Sequence, residues 1–291
     1  MTDDGLVARL RAAGCVFAED EARLLRAAVA ESAEAESSGA ESAGAHPSGA
    51  DAAATLEGLV ARRVAGEPLE QVLGWAEFAG LRILLEPGVF VPRRRTEFLA
   101  RHAARLAAAA AAAGSDDEHE RTPVVVDLCC GAGAIGAAVA SALAPRPLDL
   151  VAADLDPAAV RAARRNLEPL GGLVVEGDLF DPLPVRLRGR VDVLAVNAPY
   201  VPTAAVATMP VEAREHEARM ALDGGDDGLD VHRRVAASAA LWLAPGGHLL
   251  IETSEHQAAT TRALVAAGGL ESRIERSEED DATVVIGRRA R

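Results

Sequence analysis

Aromatic side chains are scarce in this chain, at 3% of 291 residues, with five Phe, two Trp and one Tyr. That shortage excludes a core built on ring stacking. Packing must rest on Ala, Val and Leu, and an apolar content of 49% is ample for a globular core. Cysteine is sparse too: Cys15, Cys129 and Cys130 make an odd set, and the adjacent pair has the spacing of neither a zinc site nor a redox motif. The thiols therefore fit a reducing cytoplasm, and no metal is expected. Positive charge is in short supply, with 30 Lys and Arg against 44 Asp and Glu and a net charge of −14. This weighs against attraction to phosphate backbones and so against a nucleic-acid partner. Long apolar runs are missing, since Leu106 to Ala113 is too short and too Ala-rich to cross a bilayer. The chain opens on Met1-Thr2-Asp3-Asp4 instead of a basic leader with an apolar segment, so no signal peptide is expected.

What is present divides the chain in two. Leu6, Leu10, Leu24, Leu25 and Val29, interrupted by Gly14, predict two short amphipathic helices. The run 31–54, nearly all Ala, Ser, Glu and Gly, buries too little apolar surface to offset its ordering entropy and is expected to be a flexible insertion. Helix resumes with Leu56, Leu59, Val60 and Val64 on one face, then between Pro68 and Gly74. Phe78, Leu81, Ile83 and Leu85 alternate around Gly80 as in a hairpin. The expected organisation is a helical amino-terminal domain over 1–85, a hairpin or linker over 86–96, and a larger domain over 97–291. Thr96 to Ala113 reads as a helix, and Gly114 to Arg121 as a charged loop. From Pro123 onward, the short apolar runs Val124–Val126, Leu148–Ala153, Leu173–Val175, Val191–Val196 and His248–Ile251 alternate with helical stretches. That is βα alternation, hence an α/β fold with a mostly parallel sheet covered on both faces. Leu270–Ile274 and Thr283–Ile286 are expected to close it as an antiparallel edge.

After the first of these strands comes Asp127-Leu128-Cys129-Cys130-Gly131-Ala132-Gly133-Ala134-Ile135-Gly136. Its glycines let the backbone turn sharply and approach a ligand at a helix start. Gly131 to Gly136 spell G-x-G-x-x-G, and Asp154 ends the second strand, where a carboxylate can accept from both hydroxyls of a ribose. A dinucleotide and S-adenosylmethionine fit these residues about equally. Asp127 favours the second, because an acid is out of place near a pyrophosphate but suits a cationic amino-acid group. Asp178, in Gly177-Asp178-Leu179-Phe180, is placed to meet an adenine amino group, or else is a turn residue before Pro182.

Asn197-Ala198-Pro199-Tyr200 follows Val191–Val196 at the carboxyl end of the fourth strand, the edge on which open α/β sheets bind ligands. An amide nitrogen is a poor nucleophile because its lone pair is delocalised. The Asn197 side-chain oxygen and the Ala198 carbonyl are suited to hold its N–H groups and aim it at a sulfonium methyl, while Tyr200 stacks on the planar group. A purely structural Asn-x-Pro turn is the competing reading. The acidic stretch Asp223–Asp230 lacks the spacing of a calcium loop and reads as solvated. Arg93–Arg95 remain open between substrate, cofactor and solvent.

With these pieces in order, the chain resembles the protein-glutamine N-methyltransferases that act on the Gly-Gly-Gln loop of peptide chain release factors. The resemblance runs from about Arg63 to Gly287 and rests on Val89–Glu97, Asp127–Gly136, Ala153–Pro157, Gly177–Leu183, Asn197–Tyr200 and Ala221–Leu229. It implies a class I S-adenosylmethionine-dependent methyltransferase fold, Rossmann-like with seven strands, S-adenosyl-L-methionine as cofactor, and a helical domain that recognises the release factor. The candidate cofactor residues are Asp127, Cys129, Gly131, Gly133, Ile135, Asp154, Leu155, Asp178, Leu179 and Asn197; the candidate catalytic residues are Asn197, Ala198, Pro199 and Tyr200. Three departures stand out: Ala198 where the family usually has Pro, Cys129 where it has the first loop glycine, and arginines after Arg93 where it commonly has Pro-Glu. The alternatives are an adenine or cytosine amino-methyltransferase, a nucleotide-binding protein without turnover, and an NAD-dependent oxidoreductase resting on the glycine loop alone.

Overall fold

The computed structural model describes residues 3–39, 49–113 and 121–291. In chain order its elements are helices α1 (Asp3–Ala12), α2 (Ala18–Gly39), α3 (Gly49–Val64) and α4 (Leu69–Leu73), strands β1 (Trp75–Phe78) and β2 (Leu81–Leu84), and helix α5 (Thr96–Ala112). There follow β3 (Val124–Leu128), α6 (Ala134–Leu143), β4 (Asp149–Asp154), α7 (Pro157–Leu167), β5 (Leu173–Glu176) and β6 (Val191–Val196). The chain ends with α8 (Thr203–Val206), α9 (Val211–His216), α10 (Asp230–Trp242), β7 (Leu243–Thr253), α11 (Ala258–Ala267), β8 (Glu271–Ser277) and β9 (Ala282–Arg288). Of the expected insertion 31–54, residues 31–39 continue α2 and 49–54 open α3, while 40–48 lie outside the described residues. Most of the charged stretch 114–121 also lies outside them.

The chain forms two compact units, residues 1–75 with 210–216, and 76–209 with 217–291. In the first, the apolar stripes of α1, α2 and α3 bury Leu6, Leu10, Leu25, Leu56 and Val60 against one another and Val72 of α4. Gly74 ends α4 in the left-handed conformation. Arg63 ties the unit together: its Nε donates to Glu21 Oε2 at 2.7 Å and its Nη1 to Glu212 Oε1 of α9 at 2.7 Å.

The second unit is an α/β layer structure on a seven-stranded sheet of order β5-β4-β3-β6-β7-β9-β8. Pairs from β5 to β7 are parallel, whereas β9 pairs antiparallel with both β7 and β8, the closing edge expected from the sequence. Every residue of β3 and β6 is buried, as two-sided cover demands and as their unbroken apolar runs require. One face packs on α5, α6 and α7 through small residues such as Ala103, Ala107, Ala137 and Ala163; the other buries Leu194, Leu249, Val235 and Trp242. Phe180 and Trp242 stack there with centroids 5.7 Å apart, so two of the rare aromatics meet in the core. Strand β7 begins earlier than its apolar run implied. Pro245 and two glycines read as a turn, yet an irregularity opposite Val191–Val193 keeps Leu243 paired. Strand order reverses beside β3, between β4 and β6, and such a switch point opens a crevice at the carboxyl ends of the strands. No described helix is long and apolar enough to cross a membrane.

Candidate active site

At that switch point lies a cleft of about 310 Å³ lined by the segments that leave β3, β4, β5 and β6. Its wall includes Cys129, Gly131, Ile135, Asp154, Leu155, Asp178, Leu179 and all of Asn197–Tyr200. Residues chosen from four separate stretches of sequence thus meet around one space. Asp127 and Gly133 are not on the wall.

The β3–α6 loop reverses through three left-handed residues, Cys129 (φ 54°), Gly131 (φ 54°) and Gly133 (φ 79°). At Gly133 the need for glycine is double, since a Cβ there would also fall 2.8 Å from Leu167 Cδ1. Cys129 adopts the conformation without that exemption, so the departure from the family's glycine is a strained one. Asp127 sits behind the loop, fully buried. Its Oδ2 accepts from the Gly136 N–H at 2.9 Å, while Oδ1 is buried with no partner. Burial, helped by the negative charge of Asp154, pushes this carboxyl up to about 8 against the opposing hydrogen bond from Gly136. Burial also raises both neighbouring thiols, which makes Cys129 and Cys130 poor nucleophiles.

Asp154 turns back on the same loop. Its Oδ2 accepts from the Gly131 N–H at 2.8 Å and its Oδ1 from the Asp156 N–H at 2.9 Å. Each oxygen keeps a further lone pair for a ribose hydroxyl. Burial raises its pKa as well. Asp156 then caps α7 by accepting from Ala158 N–H at 2.9 Å, with Pro157 in the first turn. Asp178 takes a 2.7 Å bond from Arg234 on α10, so part of its acceptor capacity is already committed.

Asn197 and Tyr200 are fixed by groups the sequence reading did not single out. The Asn197 Nδ2 donates to Thr96 Oγ1, the first residue of α5, at 3.3 Å. Tyr200 donates its hydroxyl to Glu252 Oε1 at 3.2 Å, and Arg95 Nε stands 3.5 Å from the same oxygen. Glu252 is 2% exposed, and its Oε2 is buried without a hydrogen bond of conventional geometry. Burial raises the Glu252 carboxyl, while Thr96, Arg95 and Tyr200 work in the other direction. The Tyr200 hydroxyl is pushed up to about 12 by burial and by Glu252. An acid closing the apolar run before Thr253 was the sequence signal for Glu252, because such a position is buried in a central strand.

Arg93 and Arg95 have separate tasks. Arg93 Nη2 bonds both oxygens of Glu217 at 2.6 and 2.7 Å and its guanidinium lies 4.7 Å from the Phe90 ring centre, whereas Arg95 lines the cleft. The acidic stretch expected to be simply solvated is in part a structural clamp. Asp223 accepts from Thr203 Oγ1 at 2.6 Å and from Gly225 N–H at 3.1 Å, and Val201 bridges to Asp223. Gly224 packs so closely beneath it that a Cβ would lie 2.7 Å from the Pro199 carbonyl oxygen. Gln257 Nε2 joins the two segments by donating to the Tyr200 and Asp227 carbonyls at 2.9 and 3.0 Å. Among the described residues no cluster of His, Cys, Asp and Glu is arranged to hold a metal.

This sheet, with a glycine loop and an Asn-x-Pro-Tyr segment at its switch point, defines a class I S-adenosylmethionine-dependent methyltransferase fold. The fold is shared by the Thermus thermophilus 16S rRNA N2 G1207 methyltransferase in complex with AdoMet and guanosine, at TM-score 0.51 and 18% identity over 74% of this chain and 49% of that one. The methyltransferase small domain family matches residues 116–227. The release factor glutamine methyltransferase of Geobacter sulfurreducens is 38% identical over 74% of this chain and 71% of its own, and that of Bradyrhizobium diazoefficiens 34% identical over 91% and 85%. A 4-amino-L-phenylalanine/4-methylamino-L-phenylalanine methyltransferase of Streptomyces pristinaespiralis is 41% identical over 72% and 69%. The chain belongs to the release factor glutamine methyltransferase family and is a methyltransferase.

Proposed function

We propose that this enzyme transfers a methyl group from S-adenosyl-L-methionine to the side-chain amide nitrogen of a protein glutamine, in the Gly-Gly-Gln loop of a peptide chain release factor. The observation that carries the reading is the opening of Asn197–Tyr200 into the same cleft as the β3–α6 loop. The chain suits the cofactor: the buried, unpartnered Oδ1 of Asp127 puts an acid behind the loop, and Asp154 ends the second strand beside it. Gly131, Ile135, Leu155 and Leu179 would enclose the nucleoside, and Asp178 would meet the adenine edge. Bound there, S-adenosylmethionine supplies an electrophilic methyl.

The protein's own contribution is orientation. Asn197 Oδ1 and the Ala198 carbonyl accept the two N–H groups of the acceptor, turning its nitrogen toward the methyl and withdrawing it from water. Ala198 lacks the rigidity of proline, but it is 2% exposed and its carbonyl keeps the acceptor role. Tyr200 stacks on the planar group, and the Glu252 bond fixes its angle. The proton leaves after methylation, when the nitrogen is strongly acidic, so no base is needed beforehand. The first unit is assigned to recognition of the protein substrate, and release factors place the reaction in the cytoplasm.

One observation favours a second reading, an aromatic amine on a free amino acid: the 41% identity to the Streptomyces enzyme, whose name gives that substrate. An aniline N–H₂ is also planar and offers two donors to the same acceptors. Incubation with methyl-labelled S-adenosylmethionine and either release factor or 4-amino-L-phenylalanine separates the two. Label on the Gly-Gly-Gln glutamine, lost in Asn197→Ala, supports the first; label on the amino acid alone refutes it.

A further inference from the structure

We infer that Thr96 and Glu252 are positioning residues that hold the Asn197 amide with its oxygen toward the acceptor. The inference rests on the reading of Asn197 as the acceptor clamp and follows from counting protons. A side-chain amide has two ends of similar shape and opposite hydrogen-bonding sense. Only one of them suits an incoming N–H. Asn197 with Oδ1 in the cleft accepts that N–H, whereas Asn197 turned over presents donor to donor and repels it.

The orientation is decided one step away. Thr96 is 3% exposed, and its hydroxyl, with a single proton, lies between Asn197 and Glu252. An ionised carboxylate is acceptor-only, so the Thr96 proton is drawn to Glu252 and Thr96 Oγ1 is left to accept. The one group of Asn197 that can donate is Nδ2, which stands 3.3 Å from Thr96 Oγ1. The order Asn197 Nδ2–H to Thr96, then Thr96 O–H to Glu252, is thus the sole arrangement in which each donor meets an acceptor. It leaves Asn197 Oδ1 for the cleft that Asn197 lines.

Glu252 is held as the fixed end of this relay from several sides. Tyr200 and Arg95 engage Oε1 at 3.2 and 3.5 Å. Oε2, buried without a conventional bond, is the acceptor still to be satisfied. The same carboxylate therefore orders both members of the acceptor site, Tyr200 directly and Asn197 through Thr96. Remove the hydroxyl and nothing selects one amide orientation over the other.

The test compares Thr96→Val, Thr96→Ser and Asn197→Ala with release factor as acceptor, following methylation kinetics and measuring S-adenosylmethionine affinity by calorimetry. Thr96→Val is expected to lower kcat by roughly tenfold or more, the scale of one misdirected buried hydrogen bond. Its cofactor Kd should stay within about twofold, since the hydroxyl faces the acceptor side. Thr96→Ser keeps the hydroxyl and should restore kcat to within about threefold of the parent. Glu252→Gln, which can both donate and accept, should fall between them and covers the case in which Thr96→Val does not fold. Full turnover by Thr96→Val, or equal impairment of Thr96→Ser and Thr96→Val at unchanged cofactor affinity, overturns the relay. Retained turnover by Asn197→Ala instead removes the clamp reading beneath it, so the two failures are told apart.

Discussion

Replacing Asp127 with an asparagine should make the cofactor-free protein's stability less sensitive to pH. Asp127 is fully buried, with one oxygen on the Gly136 amide and the other unpartnered, and its carboxyl is pushed up to about 8. In the unfolded chain an aspartate titrates near about 3.9. The folded state therefore holds this proton more tightly. Stability associated with the protonated form is complete below about pH 4 and is lost as pH rises toward about 8. At pH 7 the chain stands about 3 units above the unfolded value, which at about 1.4 kcal/mol per unit amounts to about 4 kcal/mol, an upper figure because relaxation and water entry reduce it. The amide introduced by Asp127→Asn does not titrate, and its oxygen can still accept from Gly136. Urea unfolding at pH 5.5 and 8 should show the parent losing stability relative to Asp127→Asn across that interval. Asp154 and Glu252 titrate in both proteins, so the difference isolates this one group. Parallel stability curves would refute the argument. A companion measurement is proton release: a cationic amino-acid group near Asp127 pulls its pKa down, so cofactor binding near pH 7 should expel a proton in the parent and fewer in the variant. Calorimetry in two buffers of unlike ionisation heat reads the difference.

Tyr200→Ala should cut methyl transfer strongly while leaving cofactor affinity nearly intact, as kinetics and calorimetry together would check, because the ring serves the acceptor; an equal loss in both contradicts its role. Gly133→Ala should lower stability by about 2 kcal/mol, seen in a thermal melt, since it adds a left-handed L-residue and a Cβ 2.8 Å from Leu167 Cδ1. Cys129→Gly should be tolerated to within about 1 kcal/mol by the same assay, because relief of the left-handed cysteine offsets the greater freedom of glycine when unfolded. A large destabilisation there would mean that thiol packing outweighs backbone strain.

The sheet was readable because each strand announces itself locally. Val124–Val126 and Val191–Val196 are apolar without interruption, apart from Asp192, which is the pattern of strands covered on both sides. The cleft was readable for the same reason: Asp127–Gly136, Asp154, Asp178 and Asn197–Tyr200 each follow or close a strand, so their meeting follows from βα alternation. Thr96 and Glu252 carry no such local mark. Their importance lies in touching Asn197 and Tyr200 from elements remote in the chain, and hydrophobic period does not report long-range partners. Asp178 was expected to face a ligand, but Arg234, distant in sequence, already engages it. The loop 223–230 misled through composition, since its acidic residues hide the packing of Leu222 and Leu229, 3% and 2% exposed, beneath them.

The place of α9 has a practical consequence. It is encoded between β6 and α10, in the midst of the sheet-forming sequence, yet it belongs with residues 1–75, where Glu212 receives Arg63 and Ala213 is 7% exposed. A single cut at Trp75 therefore cannot release either unit whole. Truncation there would strand a short helix with an unmatched acid and a bare apolar side, and a chimera exchanging the amino-terminal unit would have to exchange 210–216 with it. Evolution faces the same restriction as the engineer: the two stretches must drift as a matched set, and a new substrate preference acquired in one is tied to the other through Arg63.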